Sequence, residues 1–287
     1  MVFNKEEKIS NKVAVTPRDI FMPHPSLGWK LRPKAKIRVP FRDIVQSTDD
    51  EGWRIVANQP KTAKNTLAFY GCSFTYGTSL SDTETFTSLI QEAFPEQKIL
   101  NRGIGGHGTV QNYIQFRSDV KQGKVDMAVF CVISDHRFRN IGHPVRMKAH
   151  LSPQWYEIGV EHLPIVTLDR NGNTEIEYIS IWQPSLLKYD FERFLPPDYY
   201  LDKATIEMLR TIARFAKDHK IPYKIVLLDS IDPVFNKIFT EQVDGGVDIS
   251  TPFNTEFTFI PNDIHPNVKA NKVFFERLVP LLNEIMP

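Results

Sequence analysis

The run Val125–Ile133 is apolar at every position except Asp126. A strand with one wet face alternates polar and apolar residues. A continuous apolar run is what a strand carries when helices cover both of its faces, as in a parallel sheet. The flanking sequence agrees with this. Thr66–Tyr70 and Lys98–Arg102 read as strands before it, and Ile221–Asp229 as a strand after it. Segments with helical spacing lie between them: Glu84–Ala93, where Phe86, Leu89, Ile90 and Ala93 share a face; Thr109–Lys121; and Lys203–His219, with Ile206, Leu209, Ile212, Ala213 and Ala216 on one side. Val268–Met286 supplies a last amphipathic helix. Strands alternating with helices predict a mostly parallel sheet inside a three-layer α/β/α sandwich. In such a sheet the functional site lies at the carboxyl ends of the strands.

Two stretches fall outside this rhythm. Residues 1–64 are rich in Pro, Lys and Arg and are expected to form an N-terminal arm packed on the main domain. Pro23–Pro33 reads as turns and extended chain, because each proline disfavours helix before it. Short strands are expected near Ile37–Val39 and Trp53–Val56. The main domain, residues 65–287, is interrupted at about 141–200 by an insertion. Within it, Ile165–Leu168 and Thr174–Ile179 flank Asn171-Gly172 and read as a β-hairpin. Trp155-Tyr156 and Tyr199-Tyr200 either line a ligand pocket there or pack the insertion onto the domain.

The 287 residues are 41% hydrophobic and 24% charged, with a net charge of +1, which gives no electrostatic case for a nucleic-acid partner. No apolar run reaches the roughly 20 residues of a membrane span, and Met1–Lys12 lacks the apolar centre of a signal peptide. A cytoplasmic location is therefore expected. Cys72 and Cys131, the only cysteines, read as buried free thiols.

Three loops converge on the predicted carboxyl rim. Ser73 follows the first strand in Gly71-Cys72-Ser73-Phe74-Thr75-Tyr76-Gly77. Taken alone, a serine in such a turn is either a cap or a nucleophile. Gly103–Gly108 follows the second strand; its glycines let backbone N–H groups approach an oxyanion or a phosphate, or simply make a tight turn. Ser134-Asp135 follows the third. Asp263-Ile264-His265-Pro266 near the C-terminus either orients an imidazole by a carboxylate or caps the last helix. His107, His136 and His265 have no metal-ligand spacing, so no metal is expected.

Taken in order, these strings resemble the SGNH (GDSL-like) hydrolase superfamily. Gly71–Gly77 is similar to its Gly-Asp-Ser-(Phe/Leu)-Thr-x-Gly block, Asn101–Gly106 to the second, glycine-ended block, Val132–Asp135 to Gly-x-Asn-Asp, and Asn262–Asn267 to Asp-x-x-His-Pro-Asn. The resemblance spans residues 66–287 and implies the flavodoxin-like fold of that superfamily. It implies a Ser73–His265–Asp263 triad, with an oxyanion hole from Ser73, Gly106 and Ser134. Three departures stand out. Cys72 replaces the aspartate next to the nucleophile, and Ser134 replaces the asparagine of the oxyanion hole. Asn262 occupies the usual position of the acid, so Asp263 is expected to orient His265, with Asn262 as the alternative. Asn262, Asp135, Arg137 and His107 are further candidates for binding substrate; for Arg137 the alternative is a salt bridge.

The resemblance implies cleavage of an ester of a carbohydrate or small metabolite through an acyl-enzyme, with no cofactor. An acyltransferase using the same serine and a binding module that keeps only the fold are the competing readings.

Overall fold

The computed structural model describes residues 17–144, 157–181 and 196–286. The arm opens with a helical turn, α1 (Pro17–Ile20), and two antiparallel ribbons, β1 (Phe21–His24) with β2 (Gly28–Leu31) and β3 (Lys36–Val39) with β4 (Ile44–Ser47). The expected turn region Pro23–Pro33 thus contains a hairpin. Pro23 is tolerated opposite Trp29 because a two-stranded ribbon leaves outward N–H positions that need no partner. The strand expected at Trp53–Val56 is absent. Only Arg54 pairs there, in isolated bridges to Thr48 and Asn101.

From β5 (Thr66–Gly71) the chain alternates: α2 (Ser73–Tyr76), α3 (Phe86–Ala93), β6 (Lys98–Gly103), α4 (Thr109–Lys121), β7 (Met127–Val132) and α5 (His136–Asn140). The hairpin β8 (His162–Leu168) and β9 (Thr174–Ser180) intervenes and forms its own two-stranded sheet. Then come α6 (Asp198–Asp218), β10 (Tyr223–Asp229), α7 (Pro233–Gln242), β11 (Gly246–Thr251) and α8 (Val268–Asn283). The central sheet has the order β11-β10-β7-β5-β6, and every pairing in it is parallel. Counted along the sheet this is the doubly wound order 2-1-3-4-5, whose switch point lies between the first strand, β5, and the third, β7.

All six residues of β7 are buried, as its unbroken apolar run requires. Tyr70 and Phe130 face a core closed by α4, α6 and α7, among them Phe116, Leu209 and Phe235. Phe69 and Val129 face the opposite core, closed by α3 and α8 through Phe86, Ile90, Phe274 and Leu278. The sheet with helices on both faces is the expected three-layer α/β/α sandwich. A third, smaller core joins the arm to the hairpin: Trp29, Leu31, Ile37 and Trp53 cluster with Ile158, Val160 and Leu163 and with Tyr76 and Ile104 of the rim.

Neither α7 nor β11 was anticipated from the sequence. β11 is an edge strand with only Ile249 and Thr251 buried, so it lacks the continuous apolar run that marks β7. Of the four aromatics assigned to the insertion, Trp155 and Tyr156 lie outside the described residues. Tyr200 packs against the α6 core, and Tyr199 is exposed.

Candidate active site

Ser73 is the first residue of α2 and is buried. The short helix lies directly on the paired ends of β5 and β6. A Cβ added to Gly103 would come within 2.3 Å of the Tyr76 backbone nitrogen, so only glycine permits that approach. The loop after β6 closes over the serine. A Cβ built on Gly105 would lie 4.0 Å from the Cβ of Ser73. Gly106 adopts φ +82°, and a Cβ there would meet the Trp29 ring at 2.9 Å. Trp29 also donates from Nε1 to the Gly105 carbonyl at 3.0 Å, so the arm fixes this loop. The backbone N–H groups of Ser73 and Gly106 have no hydrogen-bond acceptor among the described residues.

His265 lies two residues before Asn267, which caps α8 by accepting from the Ala270 N–H at 3.1 Å. Its ring meets Phe74, the neighbour of Ser73, edge-on, with centroids 5.8 Å apart. Asp263 Oδ1 lies 2.6 Å from His265 Nδ1. Burial raises the carboxyl pKa, but hydrogen bonds and the charge interaction with His265, together with the Ser79 hydroxyl, outweigh burial and bring it down to about 2. An ionised carboxylate only accepts, so Nδ1 carries the proton and Nε2 is the basic nitrogen. The second carboxylate oxygen accepts from Ser79 Oγ at 2.5 Å. Asn262, the alternative orienting residue, is exposed and makes no such contact with the ring.

Ser134 is placed differently from the sequence expectation of an oxyanion donor. Its N–H and hydroxyl both donate to Asp229 at the end of β10, at 2.9 Å to Oδ1 and 2.8 Å to Oδ2. Burial dominates at Asp229 and raises its pKa, against the hydrogen bonds from Ser134.

Arg137, considered for substrate binding, is buried. It donates from Nε to the Ser134 carbonyl at 3.1 Å, pairs with Asp202 at 2.7 Å and with Asp232, and stacks over Phe235 at 4.8 Å. Such a saturated guanidinium is a structural tie between the third loop, α6 and α7. Asp135 pairs with Arg139 at 2.7 Å. His107 is buried with Nε2 3.0 Å from the Trp29 carbonyl, and its own carbonyl accepts from Arg139 at 2.9 Å. These contacts give Asp135 and His107 roles in holding loops.

Ser79, Asp229 and Trp29 were not singled out from the sequence. Asp229 carried a usable signal, a carboxylate at the end of a predicted strand on the functional rim. Ser79 and Trp29 carried none.

No protein-family model and no curated protein matches the chain. Among solved structures it is similar to TesA (12% identity, TM-score 0.43, covering 77% of this chain and 99% of that one). It is similar also to the psychrotrophic esterase EstA from Pseudoalteromonas sp. (11%, 0.41, 77% and 98%). A third similar structure is Axe2, an acetylxylan esterase from Geobacillus stearothermophilus (14%, 0.40, 76% and 94%). No helix among the described residues is long and apolar enough to cross a membrane, and no group of three or more His, Cys, Asp or Glu side chains among them could hold a metal ion.

Proposed function

We propose that the chain is a serine ester hydrolase. The observation that carries this reading is the 2.6 Å contact of Asp263 with His265 Nδ1, on a ring that packs against the neighbour of Ser73. In this reading His265 Nε2 takes the hydroxyl proton of Ser73 as Oγ attacks the ester carbonyl. Asp263 holds the imidazole in the competent tautomer and stabilises its protonated form. The Ser73 and Gly106 N–H groups receive the oxyanion, with Ser134 left to Asp229. Collapse of the tetrahedral intermediate expels the alcohol, which takes the proton from His265. Water, deprotonated by the same nitrogen, then releases the acid and restores Ser73. The implied substrates are acylated carbohydrates or small metabolites, and the arm (residues 1–64) and the 141–200 insertion act as additions to a hydrolase domain over residues 65–287.

The test is hydrolysis of p-nitrophenyl acetate by the parent and Ser73→Ala. Turnover should be abolished with the melting curve preserved; turnover at the parent rate removes Ser73 from the mechanism. One observation favours a second reading, a binding module that keeps the fold: the tie of Ser134 to Asp229 removes a side-chain donor from the oxyanion position. Labelling of Ser73 by a fluorophosphonate separates the two, since a module without an activated serine stays unlabelled.

A further inference from the structure

Ser79 is a non-glycine residue held at φ +66° and is buried. A left-handed backbone at such a residue costs free energy and persists only where its surroundings enforce it. The arm supplies that enforcement. Arg42 Nη1 donates to the Ser79 carbonyl at 2.9 Å while its guanidinium forms a two-pronged pair with Glu84, both bonds at 2.9 Å. Gln46 Nε2 donates to the Gly77 and Leu80 carbonyls at 2.8 and 3.0 Å. Fully buried Arg54 donates to the Tyr76 and Leu80 carbonyls at 3.2 and 2.9 Å. The carbonyls of Tyr76, Gly77, Ser79 and Leu80 are therefore each tied to an arm side chain.

The same arm reaches the loop that carries Asp263. Phe41 meets Phe259 edge-on at 5.7 Å, and the Arg42 guanidinium lies 5.1 Å from the centroid of that ring. The two loops are thus clamped by adjacent arm residues at the point where Ser79 Oγ meets Asp263 Oδ2. The other charged groups on this side pair among themselves, Arg42 with Glu84 and Arg54 with Asp82.

We propose that Ser79 is a positioning residue of the active site: its hydroxyl, aimed by the arm, fixes the Asp263 carboxylate so that Oδ1 stays on His265 Nδ1. This rests on the reading of Ser73, His265 and Asp263 given above. A carboxylate held only through Oδ1 can pivot about its own bond; a donor on Oδ2 stops that motion. The hydroxyl also draws charge away from the oxygen that faces the imidazole.

Two variants remove the hydroxyl. Ser79→Gly relaxes the left-handed backbone, and Ser79→Ala leaves it strained. Both should show kcat lowered about tenfold with KM unchanged, the size of one charged hydrogen bond. Both should also move the acidic limb of kcat/KM to higher pH, because the imidazole–carboxylate pair, with one donor fewer, takes up its proton sooner. A purely structural role would lower the melting temperature without moving that limb. Parent kcat and an unmoved limb in the folded glycine variant, with Ser73→Ala inactive, overturn the proposal. Should Ser73→Ala itself turn over ester, the hydrolase reading fails instead. Should the glycine variant not fold, the alanine variant is read by the same two criteria, and loss of folding in both overturns the positioning role in favour of a structural one.

Discussion

Two aspartates on the functional rim each accept a hydrogen bond from a serine hydroxyl, yet their carboxyl groups shift in opposite directions. Asp263 is brought down to about 2 and Asp229 is raised. The hydroxyl bonds are comparable, 2.5 Å from Ser79 and 2.8 Å from Ser134. What differs is the rest of the environment. Asp263 keeps some solvent exposure and faces an imidazole that becomes positive when protonated. Asp229 is buried; its nearest cation, Arg137, is already paired with Asp202 and Asp232, and Asp232 adds a repulsive charge of its own. At Asp263 the hydrogen bonds and the charge interaction with His265 together outweigh burial; at Asp229 burial outweighs the hydrogen bonds from Ser134 and the already shared charge of Arg137. In the proposed mechanism the pair that includes the imidazole moves the proton. The other serves as a brace between the loops after β7 and β10.

The largest test of this contrast is Asp263→Asn. The amide would present the wrong hydrogen-bonding pattern to His265 Nδ1, and turnover should fall by about 10⁴-fold. The corresponding Asp229→Asn change should leave most of the activity, since its amide can donate to Ser134 Oγ while its oxygen accepts the Ser134 N–H. Equal losses in the two variants would erase the functional distinction between the aspartates.

Stability against pH is the next largest effect, and the two signs oppose. For Asp263 the folded pKa of about 2 lies below the ordinary 3.8, so its contribution is present above 3.8 and is lost as pH falls toward 2. The gap corresponds to about 1–2 kcal/mol once solvent at its open edge is allowed for. Asp263→Asn should therefore be less stable than the parent at neutral pH and converge with it in acid. For Asp229 the folded pKa is raised above 3.8, so stability is fully present below 3.8 and is lost as pH rises through the raised value. Asp229→Asn should gain on the parent over that window. Denaturant titrations at pH values from 3 to 7 measure both slopes, and parallel slopes would contradict the contrast.

The sequence carried the fold well wherever burial imposed a period. β7 and the face of α6 containing Ile206, Leu209 and Ile212 are legible because both pack against a continuous core. The edge strand β11 is not, since it buries too little to force a pattern; the Phe21–Leu31 hairpin is hidden instead by Pro23 and Pro25, which read as turn signals although Trp29 and Leu31 are buried. In the site, Ser73 and His265 are marked by neighbouring residues in the chain. Ser79 is separated from Asp263 by 184 positions and Ser134 from Asp229 by 95, so their partners depend on tertiary placement. Ser134 also depends on a partner that motif position does not show: its place in the chain suggests an oxyanion donor, and its N–H and hydroxyl both donate to a carboxylate at the end of the adjacent strand.

The smallest expected effect falls at that residue and separates the two roles. If Ser134 donated to the oxyanion, Ser134→Ala would remove a transition-state interaction and cost about 10²–10³-fold in kcat. Bound to Asp229, it contributes nothing to the developing charge, and kcat should change by about threefold at most, well short of a lost donor. The loss appears instead in stability at neutral pH, because a buried carboxylate is left with one donor fewer and its pKa rises further. By the sign already worked out for Asp229, the deficit should shrink as the solution is acidified and the carboxyl becomes neutral. A Ser134→Ala protein with a large fall in kcat and a pH-independent melting difference would return Ser134 to the oxyanion hole and leave Asp229 as its positioning partner.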